Sequence, residues 1–122
     1  MKNTPTCQAA RQVYTLCYRI TGCPQAARQV ALEALTDPRP LRKAVALCVA
    51  RAPALDGAAA RAGGSRLERA LFSLPWGQRL ALVLLDQLGL APDEAARWTQ
   101  LPQIELTRLC YAGRLALAKA TA

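Results

Sequence analysis

The side chains that could act as nucleophiles, metal ligands or proton carriers are few, and their spacing suits no common chemistry. The chain has no histidine, so the side chain most often used as a general acid or base near neutral pH is missing. Five cysteines stand at Cys7, Cys17, Cys23, Cys48 and Cys110, an odd number with no Cys-x-x-Cys spacing. Without histidine partners they make a poor zinc set. Cys17, Cys48 and Cys110 fall among apolar neighbours at helical spacing, where a thiol packs as a small core residue. The eight acidic residues are scattered, and Asp93-Glu94 reads as the acidic first turn of a helix. Gly63-Gly64-Ser65 has no strand before it and no lysine after it, so it is no phosphate loop. No catalytic residue, metal site or cofactor is expected. The sequence points to binding.

The chemistry of binding is set by charge. Sixteen Lys and Arg against eight Asp and Glu give a net charge of +8, which favours a polyanionic partner such as nucleic acid, or an acidic protein surface. The basic residues divide evenly between the two halves of the chain, and no polybasic tail exists. Any basic face must therefore be assembled by folding. Near the C-terminus, Gln103, Thr107, Arg108, Tyr111 and Arg114 share one side of a helix, opposite Leu106, Cys110, Gly113 and Leu117. Polar and basic groups so placed can reach base edges and phosphates, although a merely solvated face has the same pattern.

The elements that position these residues are helical. Ala, Leu and Arg dominate, with 25, 20 and 13 copies, and all three lose little freedom in a helix. The fold class is all-α. The first helix is expected from Thr6 to Ile20 or Thr21, with Val13, Leu16, Cys17 and Ile20 as its apolar stripe. Gly22 stops it, Pro24 opens a second helix to about Thr36, and a third runs from Leu41 to Ala52. Residues 53–64 read as a linker. Ser65 and Glu68 form a capping box for a short helix to about Ser73. Pro75 opens a helix to Leu88, stopped by Gly89. A short helix from Ala91-Pro92 to Gln100 and a last one from Gln103 to Lys119 then have helix-turn-helix proportions. The expected organisation is two small helical domains, residues 1–52 and 65–122. The N-terminus lacks the apolar core of a secretion signal, and the longest apolar run, Leu80 to Leu85, is too short to span a bilayer. A cytoplasmic location with no membrane partner is expected.

Leu74-Pro75, Arg79, the run Leu80 to Leu85, Gly89-Leu90, Glu94-Ala95-Ala96, Pro102, Leu106, Tyr111 and Arg114 carry a resemblance. From Leu71 to Leu117 the chain resembles the −35-element-reading domain of bacterial RNA polymerase sigma factors, especially the extracytoplasmic-function type. Tyr14 to Leu35 and Leu41 to Arg51 are similar to the sigma domain that binds core polymerase and the −10 element. The chain departs from the family pattern at Arg28 and Gln29, where an acidic pair is usual. It is also short between Leu35 and Leu41, and has a single aromatic, Phe72, in residues 36–75. Stacking platforms for unpaired bases are thus scarce.

The resemblance implies a sigma-factor-like transcription regulator whose partners are promoter duplex DNA, core RNA polymerase and an anti-sigma factor. Its DNA-contacting residues would be Arg97, Gln103, Thr107, Arg108, Tyr111 and Arg114. Arg79 is open between a structural and a DNA-backbone role. The alternative is a sigma-fold protein-interaction module without promoter recognition, using an apolar strip of Leu109, Ala112 and Ala116. A helix-turn-helix repressor with an unrelated, dimerising N-terminal half is a third reading.

Overall fold

The computed structural model describes residues 3–51 and 65–121, and every regular element among them is helical. The helices are α1 (Asn3–Thr21), α2 (Pro24–Ala34), α3 (Pro40–Ala50), α4 (Arg66–Phe72), α5 (Trp76–Leu82), α6 (Pro92–Thr99) and α7 (Gln103–Thr121). No helix among them is long and apolar enough to cross a membrane.

Local backbone chemistry sets most helix ends. Pro24, Pro40 and Pro92 occupy the first turns of α2, α3 and α6, where the missing N–H has no helical partner to lose. Ser65 and Glu68 form the capping box in both directions, each hydrogen bond 3.1 Å long. Gly22 and Gly89 take φ of 70° and 78°, the left-handed turn that ends a helix at little steric cost.

Some boundaries differ from expectation. Helix α1 begins at Asn3, not Thr6, with Pro5 tolerated in its first turn. Helix α2 ends at Ala34, not Thr36, because the Thr36 hydroxyl donates to the Glu33 carbonyl and Asp37 accepts from the Arg39 N–H. These bonds fold the chain into a turn leading to Pro40. Helix α3 accordingly starts one residue before Leu41, and it ends at Ala50 with Arg51 as its cap. The single helix expected from Pro75 to Leu88 is α5 followed by a π turn, Val83–Gln87. There the Leu88 N–H reaches back five residues to the Val83 carbonyl at 2.8 Å. The expected linker lies outside the described residues.

Helix α1 is the shared element. It packs on α2 and α3 and also touches α4, α5 and the π turn, while α3 meets α6 and α5 lies along α7. Val13, Leu16, Cys17 and Ile20 are buried with Val30, Val45, Leu71, Phe72, Leu80, Leu84 and Leu106 in one apolar cluster drawn from both halves. Tyr18 meets Phe72 edge-on with ring centroids 5.3 Å apart, a favoured aromatic geometry. Cys17, Cys48 and Cys110 are all buried. Hydrogen bonding with Cys17 and burial push the Cys48 thiol well above its ordinary value.

At the junction stands Arg79, only 1% exposed. Its Nε donates to the Ile20 carbonyl at 2.6 Å, and its Nη1 to the carbonyls of Leu74 at 3.0 Å and Phe72 at 3.4 Å. Ile20 lies in the last turn of α1 and Phe72 ends α4. Helix C-termini carry unsatisfied carbonyls and partial negative charge, so one planar cation stabilises two of them at once. The role left open in the sequence is structural. Arg79→Met keeps the volume but leaves these carbonyls without their donor. We expect a loss of about 3 kcal/mol or more, measured by urea unfolding followed by circular dichroism. A loss below about 1 kcal/mol would show that the guanidinium does not hold the junction.

Candidate nucleic-acid interface

Helices α6 and α7 are joined by Gln100, Leu101 and Pro102. Gln100 is the one non-glycine residue among those described with a positive φ, 64°. Its N–H bonds the Ala96 carbonyl at 2.8 Å, and Thr99 pins both sides of the turn. The Thr99 hydroxyl donates to the Ala95 carbonyl at 2.9 Å and accepts from the Leu101 N–H at 3.2 Å. Leu101 packs against the core. A three-residue turn of fixed shape therefore joins a short helix to a long one.

The inner side of α7 is seated on α5. Leu106, Cys110 and Gly113 are buried, and a Cβ placed on Gly113 would stand 2.9 Å from the Leu82 Cδ1. Glycine is what lets the two helices approach here. Leu109 closes on Gly77, and Ala116 packs against the core. The apolar strip expected from Leu109, Ala112 and Ala116 is thus partly buried within this chain.

All six sequence-expected contact residues are exposed: Arg97 on α6, and Gln103, Thr107, Arg108, Tyr111 and Arg114 on α7. They are not equivalent. Arg97 donates to Asp93 at 3.3 Å, one turn back. Arg108 is paired with Glu105 at 3.6 Å and 71% exposed. Exposed pairs of this kind contribute little and exchange readily. Arg114 is held differently: Nε and Nη2 bond both carboxylate oxygens of Asp86, at 2.8 and 2.5 Å. That two-pronged contact ties α7 to the π turn, and a phosphate would have to compete with it. Thr107 donates its hydroxyl proton to the Gln103 carbonyl at 3.0 Å, leaving its oxygen as an acceptor.

At the centre of the outer face the expected Tyr111 is joined by two apolar residues that the sequence pattern of polar and basic groups leaves out, Ile104 and Leu115. The exposures of Ile104, Tyr111 and Leu115 are 71%, 63% and 50%. They follow one another at i, i+7 and i+11, with Arg108 between them, and so form a row opposite the core. Helical spacing carried through every residue, apolar ones included, finds this row.

Compared with known protein families and with curated proteins, the chain matches none. Among the described residues no group of three or more Cys, Asp or Glu side chains is placed to hold a metal ion.

The Asp86–Arg114 contact sets a pH dependence. The guanidinium holds the Asp86 carboxyl below the usual carboxylate range, while burial and the nearby Asp86 charge push the Cys110 thiol up. A depressed carboxylate contributes stability above its unfolded value, about 4, and loses it as pH falls through the folded value. Arg114→Gln should therefore flatten the fall in melting temperature below about pH 4 relative to wild type. Parallel curves would mean that the ion pair does not persist in solution.

Proposed function

We propose that this protein is a sigma-factor-like transcription regulator that places the N-terminal half of α7 in the major groove of promoter DNA. The observation that carries the reading is the α6–turn–α7 unit, with its locked turn and a second helix whose outer face is open. In such units the first helix crosses the phosphate backbone and the N-terminal residues of the second meet base edges. Gln103 and Thr107 are the base-reading candidates, Arg108 reaches guanine or phosphate, and Arg97 serves the flanking backbone. Ile104 and Tyr111 fit thymine methyl groups, which the major groove also presents.

Core RNA polymerase is the proposed second partner, met by the outer side of α2. Arg28, Gln29 and Leu32 are exposed there, and Glu33 is held by Arg51 at 2.7 Å. Phe72, the single aromatic of residues 36–75, is buried against Tyr18 and offers no platform to an unpaired base. Strand separation therefore falls to the polymerase or another subunit.

The exposed row Ile104, Tyr111 and Leu115 favours a second reading, a protein-interaction module that docks another chain on α7. Apolar residues clustered on an open surface mark such sites, and an anti-sigma factor is the partner the resemblance implies.

Selection of purified protein on a random duplex library near physiological salt, with and without core polymerase, separates the two. A motif enriched by the protein alone or only with core supports DNA recognition. No motif under either condition supports the interaction module. Where a motif emerges, Gln103→Ala should relax its preference at one base position by about 1–3 kcal/mol. Equal weakening on all sequences would instead assign Gln103 to the backbone.

A further inference from the structure

The basic excess of the described residues is not concentrated on the helix-turn-helix. Arg97, Arg108 and Arg114 each face a carboxylate. Residues 3–51 contain Arg11, Arg19, Arg28, Arg39, Arg42, Lys43 and Arg51 against Glu33 and Asp37. Three of these cations gather where α3 begins: Arg39 just before it, Arg42 and Lys43 in its first turn, all exposed. Among the described residues no carboxylate lies within ion-pair distance of any of them. Asp37, the acid beside them, has its carboxylate on the Arg39 N–H at 2.9 Å.

This cluster is held next to the helix-turn-helix. Helix α3 packs against α6, and an open cavity of about 480 Å³ between α1, α3 and α6 has Arg39, Arg42 and Arg97 on its wall, with Glu94. Packed helix axes lie about 8–10 Å apart, so the α3 cations sit roughly one helix diameter beyond α6. Arg39, Arg42 and Lys43 line one shallow depression with Asp37, and Lys43 also acts on Glu33. The positive charge in excess there attracts a polyanion.

We propose that Arg39, Arg42 and Lys43 form a second phosphate-binding surface, continuous with the helix-turn-helix across α6, for the backbone of the same DNA duplex. The inference rests on the DNA-binding reading above. A duplex with α7 in its major groove lays its backbone across α6, and these three side chains stand next along that path. They would add affinity and no sequence preference.

The test is the salt dependence of binding by full-length protein to a labelled mixed-sequence duplex of about twenty base pairs, between about 50 and 200 mM salt. Each phosphate contact contributes about 0.9 to the slope of log affinity on log salt. The variant Arg39→Ala/Arg42→Ala/Lys43→Ala should flatten that slope by about 2 to 3, weaken binding on every duplex, and leave any selected motif unchanged. Arg11→Ala, at an exposed position of α1, should change the slope by less than about 0.5. A triple variant with the wild-type slope, its fold checked by circular dichroism, would overturn this inference and leave the DNA-binding reading standing. Wild-type protein that binds no duplex, either alone or with core polymerase, would overturn both.

Discussion

The architecture depends on one buried guanidinium. Arg79 comes from a helix that is otherwise apolar on its inner side, and it donates to carbonyls at the ends of α1 and α4. A charge is costly to bury unless fixed dipoles replace its water, and here helix C-termini supply them. The same bonds satisfy carbonyls that the helix ends would leave unpaired. Each side of the junction thus uses the other: Gly22 ends α1 there, and the end carbonyl of Ile20 gives the cation its place. The Tyr18–Phe72 contact and the Arg19–Gln87 hydrogen bond reinforce the same junction.

From that constraint follows how the surfaces are arranged. With α1 fixed against α5, α3 is brought to α6, and the outer face of α7 is left open. The charge distribution then divides the labour. Helices α6 and α7 carry balanced ion pairs and an exposed apolar row. The start of α3 carries cations suited to phosphates. In the proposed function, specificity and affinity come from different halves of one body.

Much of this was legible because it is local. Pro24 and Pro92, the glycines at 22 and 89 and the Ser65–Glu68 box act on neighbouring residues, so their spacing carries their meaning. The core thiols were legible from periodicity. Arg97–Asp93 and Arg108–Glu105 follow from one-turn spacing. Arg114–Asp86 does not, since it spans 28 residues. Nor does Arg79–Ile20, which spans 59: an arginine in an apolar helix reads equally well as a surface contact until the helix opposite it is known. The π turn escaped because nothing in Val83 to Gln87 distinguishes a five-residue from a four-residue hydrogen bond. The row on α7 escaped for another reason, since polar residues were sought there and Ile104 and Leu115 are not polar.

The central claim is that one body, joined through Arg79, reads one stretch of duplex. Hydroxyl-radical footprinting on the best duplex from the random library tests it most directly. The account predicts a single continuous protected tract, with protection on the backbone flanking the α7 site. Two protected tracts separated by open DNA would contradict it, because they would require the two halves to part and bind independently.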